Sequence, residues 1–98
     1  MKIVLLCNLG MSTGVMQLRL EEEAALHGIE ASIIAMPVTD LDKQEIVADV
    51  FLLGPQIRYT EADVKSKAEG AFVYVMSPTE FGLMQADVIW GKIIEHFQ

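Results

Sequence analysis

Four short apolar segments punctuate the chain: Lys2–Leu6, Ala31–Met36, Val50–Leu53 and Phe72–Val75. The first, third and fourth are near-continuous in Val, Ile, Leu and Phe rather than alternating. Strands covered on both faces read this way, because neither face meets water. Between them the hydrophobic period lengthens to that of a helix. Over Ser12–His27, Met16, Leu20 and Ala24 fall on one stripe; Met11, Val15, Leu18 and Ala25 form a second, interrupted by Glu22. The two stripes compete for the core face, and Gly28 follows as a C′ stop. Asp40–Ala48 reads as a short helix with Asp40 as N-cap. Thr60–Ala68 reads as a helix capped by Thr60, with Asp63 at the third position and Gly70 ending it. Ala86, Ile89, Trp90, Ile93 and Phe97 share one face of a last helix that runs to the C-terminus.

Strands alternating with helices imply right-handed crossovers and a parallel sheet. The expected fold is α/β: an open four-stranded parallel sheet in the order 2-1-3-4, with helices on both faces, flavodoxin-like. Its topological switch point lies between strands 1 and 3, and ligands of such sheets sit at the carboxyl ends of the strands there. Two loops are thereby singled out, Cys7–Thr13 and Gly54–Tyr59. A length of 98 residues fits one domain spanning 1–98.

Seven basic residues against fourteen acidic ones give a net charge of -7, which disfavours nucleic acid and anionic lipid as partners. Any phosphate handled here must be held locally, by amides, hydroxyls or one placed Arg. A single cysteine excludes an intrachain disulfide. The opening apolar run is too short for a signal h-region or a bilayer span. The expectation is a soluble, cytoplasmic domain with no direct membrane insertion. No Cys/His cluster is present for zinc, and no metal or cofactor is expected.

Candidate chemistry concentrates in Cys7-Asn8-Leu9-Gly10-Met11-Ser12-Thr13-Gly14, which joins strand 1 to helix 1. Consecutive backbone N–H groups with a helix N-terminus behind them favour an anion. Gly10 allows a tight turn and close approach, and Ser12 and Thr13 add hydroxyl donors. A helix N-terminus also favours the anionic form of a neighbouring thiol, the form that acts as nucleophile. A thiolate and an oxyanion cradle are the minimum kit for accepting a phosphoryl group. Against this stands the plain reading of Cys7 as a small buried hydrophobe and of Ser12-Thr13 as a helix cap. A P-loop would close on Gly-Lys-Ser/Thr, and no Lys stands here. A cysteine phosphatase of the Cys-x5-Arg type would need Arg where Thr13 stands. A phosphate relay, a low-molecular-weight-phosphatase-like hydrolase and a cysteine-based regulatory switch all remain open from these residues.

The spacing Cys-x-x-Gly-Met-Ser-Thr after an N-terminal strand, followed by Leu-Gly-Pro-Gln-Ile-Arg-Tyr at Leu53–Tyr59, resembles the IIB components of the bacterial phosphoenolpyruvate-dependent sugar phosphotransferase system. The resemblance is to the lactose/cellobiose (chitobiose) class and covers essentially the whole chain. Phe81-Gly82-Leu83-Met84 is similar to that family's Tyr-Gly-x-Met segment, with Phe in place of Tyr and one hydroxyl fewer. The resemblance implies a mechanism. A partner IIA protein carries phosphate on a histidine, Cys7 takes it as a phosphocysteine, and a sugar bound by the membrane IIC transporter receives it. Asn8, Leu9, Gly10, Met11, Ser12, Thr13 and Gly14 would then hold the phosphoryl oxygens. The domain would be cytoplasmic and associated with the membrane through IIC.

Gln56, Arg58 and Tyr59, on the second loop, are candidates for meeting the phosphate or lining a docking surface; the plainer alternative is a solvated Arg58 and a Tyr59 packed against helix 3. Leu9 and Met11 are candidates for the apolar centre of that surface. His27 and His96 fall at helix C-termini, where they complement the dipole.

Overall fold

β1 (Lys2–Cys7) and β3 (Val50–Leu53) lie side by side at the middle of the sheet, and nearly all of their side chains are buried. In the computed structural model, residues 1–7, 11–43 and 46–98 are described, those of Met11 and Ser12 in backbone only. β2 (Ser32–Pro37) flanks β1, and β4 (Phe72–Val75) flanks β3, giving the parallel order β2-β1-β3-β4 that the alternation of elements implies. Val50–Leu53 and Phe72–Val75 are the segments read from the sequence; β1 and β2 each end one residue later. Pro37 closes β2, an edge strand, the position in a sheet where proline is tolerated.

Alternate side chains of each strand enter two layers. Ile3, Leu5, Val50, Leu52 and Ile33 pack under α1 (Met11–Leu26) and α4 (Ala86–Phe97). Val4, Leu6, Phe51 and Leu53 pack against Leu41, Ile57 and Val64 on the opposite face. Of the two apolar stripes on α1, the core takes Met16, Leu20 and Ala24, while Val15 and Leu18 stay exposed. Trp90 is fully buried, and its indole Nε1 donates to the Leu20 carbonyl at 2.8 Å, tying α4 to α1. At the end of α1, Gly28 adopts φ +66°, its N–H bonding Ala25 O and that of Ile29 bonding Ala24 O. That is a Schellman stop, and it needs the left-handed backbone that glycine takes without strain.

Three expectations are corrected. Among the described residues of 40–48, Asp40 caps no helix. A 3₁₀ turn spans Val38–Asp42 directly after β2, with Asp40 inside it. Ile46 and Ala48 run without helix into β3, half-buried against the layer of Val4, Leu6, Phe51 and Leu53. Nine residues hold a helix weakly, and burial of Leu41, Ile46 and Ala48 outweighs that tendency. Thr60 does not cap α2 (Glu61–Lys67). It closes a second 3₁₀ helix, Pro55–Thr60, and its hydroxyl donates back to Ile57 O at 2.7 Å. An N-cap needs extended backbone, and Thr60 lies at φ -90°, ψ 1°. Asp63 instead pairs with Lys67, which also holds Asp42 and so links α2 to the first 3₁₀ turn. Phe97 leaves the buried face of α4; it is half-exposed, edge-on to Phe72 and His96.

Candidate active site

The alternation along β1 decides where its last side chain points. Ile3 and Leu5 enter the α1/α4 layer, and Cys7 follows in the same phase. Its Sγ lies 2.6 Å from Oγ1 of Thr13, either atom serving as donor, and both residues are buried to 7% exposure. Thr13 is the third residue of α1, within the first turn, where backbone N–H groups lack partners inside the helix. The sulfur therefore faces the positive end of the helix dipole. No acidic residue occupies that turn, so a chain of net charge -7 nonetheless presents an anion-favouring point here.

The far side of Cys7 is closed by β3. Gly54 N–H donates to Leu6 O at 3.0 Å, extending the ladder beyond the strand. A Cβ on Gly54 would stand 3.6 Å from Cys7 Cβ and 2.9 Å from Gln56 Oε1. The Cys7 distance is ordinary van der Waals contact and the Gln56 oxygen is the movable end of its side chain, so the exit of β3 lies against the base of the cysteine without requiring glycine.

Two open clefts flank this point. The first, about 250 Å³, is lined by Cys7, Thr13, Gly14, Ala35, Met36 and Pro37, between the start of α1 and the end of β2. The second, about 570 Å³, is lined by Pro55, Gln56, Arg58, Tyr59 and Pro78. The structure thus brings together Cys7, Thr13 and Gly14. Gln56 stands one glycine away from them. Arg58 and Tyr59 line the second cleft, and both are exposed, Tyr59 to 75%. The buried residue of their 3₁₀ helix, Ile57, belongs to the layer opposite the one Cys7 faces. Asn8, Leu9 and Gly10 lie outside the described residues; the backbones of Met11 and Ser12 open α1.

His27 and His96 stand away from this edge. α1 starts beside Cys7 and runs 16 residues, about 24 Å, before His27. His27 Nε2 is 4.0 Å from Glu23, and His96 stacks on Phe72 at 4.1 Å. Among the described residues no group of three His, Cys, Asp or Glu could hold a metal ion, and no helix is long and apolar enough to cross a membrane.

One feature near the second cleft escaped the sequence reading. α3 (Pro78–Gly82) opens with a capping box. Ser77 Oγ accepts from Glu80 N at 3.0 Å, and the Glu80 carboxylate accepts from Ser77 N at 2.7 Å. The Tyr74 hydroxyl donates to the same carboxylate at 2.8 Å, so the buried Glu80 is fully engaged. Burial, then the Glu80 carboxylate, pushes the Tyr74 phenol up to about 12. This assembly fixes Pro78, a wall of the second cleft. The pattern Ser-Pro-Thr-Glu at Ser77–Glu80 is the signal that could have found it. Phe81, where the resembling segment carries Tyr, is buried in the α1/α4 layer.

Residues 2–89 match the family described as PTS system, Lactose/Cellobiose specific IIB subunit. The galactose-specific EIIB component of Lactococcus lactis subsp. cremoris is 32% identical over 94 residues, covering 89% of this chain and 87% of that protein. The cellobiose-specific EIIB component of Lactococcus lactis subsp. lactis matches with the same identity and coverage. Among solved structures, a cellobiose-specific IIB component from Borrelia burgdorferi superposes with a TM-score of 0.74 at 29% identity, over 97% of this chain and 89% of that one. The lactose-specific IIB domain from Streptococcus pneumoniae reaches a TM-score of 0.84 at 20% identity, over 100% and 98% of the two chains, a likeness of fold. With the family match running over most of its length and a curated relative 32% identical over 89% of it, the chain belongs to the lactose/cellobiose-specific IIB family of the sugar phosphotransferase system.

Proposed function

We propose that Cys7 is the phosphoryl carrier of this IIB component, accepting phosphate from a phosphohistidine on a IIA protein and passing it to a sugar held by a membrane IIC transporter. The observation that carries this reading is the sulfur at the exit of β1, 2.6 Å from the buried Thr13 hydroxyl and facing the first turn of α1. The Cys7 thiolate attacks phosphorus, the P–N bond breaks, and its electron pair stays on the departing imidazole. In the second transfer the sugar hydroxyl attacks phosphorus and gives up its proton to solvent, the S–P bond breaks, and its electron pair returns to sulfur as the thiolate. Catalysis in such a site is positioning and electrostatic stabilisation of the transferring oxygens. The Thr13 hydroxyl and the N–H groups of the first turn, Gly14 included, supply donors for them; Asn8, Leu9, Gly10, Met11 and Ser12 complete the cradle in this reading. Gln56, Arg58 and Tyr59 act at the rim, where an exposed cation and an aromatic ring suit partner docking. Membrane association would come through IIC.

The test is phosphorylation by phosphoenolpyruvate, enzyme I, HPr and a IIA protein of this class. Label is expected on Cys7 and abolished by Cys7→Ser. Label retained in Cys7→Ser, on His27 or His96, would overturn the assignment. Turnover of p-nitrophenyl phosphate is expected to be negligible, and brisk turnover would favour a hydrolase.

A further inference from the structure

We infer, resting on the relay reading of Cys7, that Glu80 is a positioning residue for the phosphate donor: by pinning the turn between β4 and α3 it shapes the cleft in which Arg58 takes an acidic side chain of the donor protein. Among the described residues two polar side chains are buried, Thr13 and Glu80, and the relay uses the first of them. The Glu80 carboxylate holds separate parts of the chain together. It accepts from Ser77 N–H at 2.7 Å, in the turn, and from the Tyr74 hydroxyl at 2.8 Å, on β4; the Glu80 N–H donates to Ser77 Oγ at 3.0 Å. A helix of five residues does not hold its place by its own hydrogen bonds, because nucleation is unfavourable, so these contacts fix it. The other end is held as well. Met84, not a glycine, stands at φ +51°, and the bond from Gln85 N–H to Glu80 O at 2.9 Å closes that left-handed turn.

This fixed turn borders the second cleft. Met76 N–H donates to Leu53 O at 2.9 Å, so the exits of β3 and β4 lie side by side. Pro55 follows the first exit and Pro78 the second, and both line the cleft of about 570 Å³ with Gln56, Arg58 and Tyr59. A proline ring fixes φ, so each wall keeps the position its strand gives it. A shift of Pro78 changes the space in front of Arg58. Among the described lining residues Arg58 is the charged one, in a chain of net charge -7. No carboxylate of the described residues pairs with it. Its planar fork suits a carboxylate, with Tyr59 and the two prolines as apolar flanks. The charge also chooses between the two partners of the relay. Cytoplasmic loops of membrane transporters carry an excess of Lys and Arg, which Arg58 repels; a carboxylate on the donor protein is attracted. Gly54 lies against both Cys7 and Gln56, so a protein seated over the sulfur reaches this cleft. Glu80 stands at a different strand exit from the sulfur, and its effect falls on docking rather than on the transfer itself.

Phosphorylation of Cys7 is followed against the concentration of a phospho-IIA protein of this class, on the full chain, each variant first shown folded by circular dichroism. Arg58→Glu is expected to raise KM about tenfold or more. Glu80→Leu is expected to raise it about fivefold or more, with kcat within about twofold of the parent. Glu80→Gln keeps an acceptor oxygen for Ser77 and Tyr74 and is expected to restore a KM near the parental one. Because Glu80 acts through the cleft of Arg58, the two losses do not multiply: the double variant is expected to show a KM no higher than Arg58→Glu alone. Should Glu80→Leu fail to fold, Tyr74→Phe and Pro78→Gly replace it in the same cycle, each with a smaller rise in KM. A parental KM in folded Glu80→Leu, or in both replacements, overturns the inference, as do losses that multiply or a fall in kcat alone. Arg58→Glu that leaves the donor step unchanged but slows transfer to sugar in membranes containing IIC gives the cleft to the transporter and overturns it too. Parent protein that takes no phosphate on Cys7 defeats the relay reading instead. Calorimetric Kd values for IIA then decide: weaker binding in Arg58→Glu and Glu80→Leu supports the assignment of the cleft, and equal or absent binding overturns it.

Discussion

A single hydroxyl carries much of the weight at the scale of the residue. Thr13 is buried in the first helical turn with Cys7 Sγ as its hydrogen-bond partner. A hydrogen bond to a charged group contributes about 1.5–3 kcal/mol, or about 10- to 150-fold in rate. Thr13→Val keeps the shape and removes the donor. Phosphorylation of Cys7 is expected to slow by about that factor, with recovery in Thr13→Ser; equal rates in Thr13→Val and the parent would remove the hydroxyl from the mechanism. The sequence showed this residue as one of several donors after Cys7, and the thiol itself was legible from its place at a strand exit. Its direction was not. Both faces of β1 are apolar, so no pattern in Lys2–Leu6 says which face α1 covers. Arg58 and Tyr59, read as candidates for meeting the phosphate or lining a docking surface, line the second cleft.

Among the elements, strands and long helices were legible and short turns were not. The β1 and β3 runs announce themselves because they are buried on both sides, β4 because both of its faces are half-buried, and α4 by its single apolar stripe. Asp40 and Thr60 misled because Asp and Thr serve tight turns as readily as caps. Both belong to 3₁₀ turns whose lengths are set by burying Leu41 and Ile57. The true cap, Ser77 with Glu80, heads a helix of only five residues, too short to show a period. Ser77→Ala is expected to cost about 0.5–2 kcal/mol in urea unfolding. Beside it, Tyr74 titrates late, at about 12 against 10.0 when unperturbed. A phenol whose pKa rises on folding stabilises the protein below pH 10, and that contribution is lost as pH climbs through about 12. The phenolate absorbance of the parent minus that of Tyr74→Phe should show a midpoint near 12; a midpoint near 10 would mean that neither the burial of Tyr74 nor its Glu80 contact holds in solution.

Across the molecule, one asymmetry organises function. A parallel sheet sends every strand's carboxyl end to the same edge, and the exits of β1 and β3 meet there. The ends of α1 and α4, with His27 and His96, fall at the opposite edge. The chain is strongly acidic overall, yet the turn facing Cys7 carries no acid, so the proposed anion site is a local feature rather than a property of the global field. The framework behind it is α1 locked to α4 through Trp90 and Leu20. Trp90→Phe is expected to cost about 1–3 kcal/mol by losing that bond and some volume. It leaves the site residues untouched. Sheet order and layers were legible from alternation alone; the identity of the edge residues that meet required the register.

The central claim is that phosphate arrives on the sulfur of Cys7 and is held by the amides of the turn that follows. Amide proton–nitrogen spectra of the protein before and after phosphorylation by phosphoenolpyruvate, enzyme I, HPr and a IIA protein test it most directly. The largest shifts are predicted at the end of β1 and in the first turn of α1, Thr13 and Gly14 among them, with His27 and His96 silent. Shifts centred on either histidine, with the amides of Thr13 and Gly14 unmoved, would contradict the account.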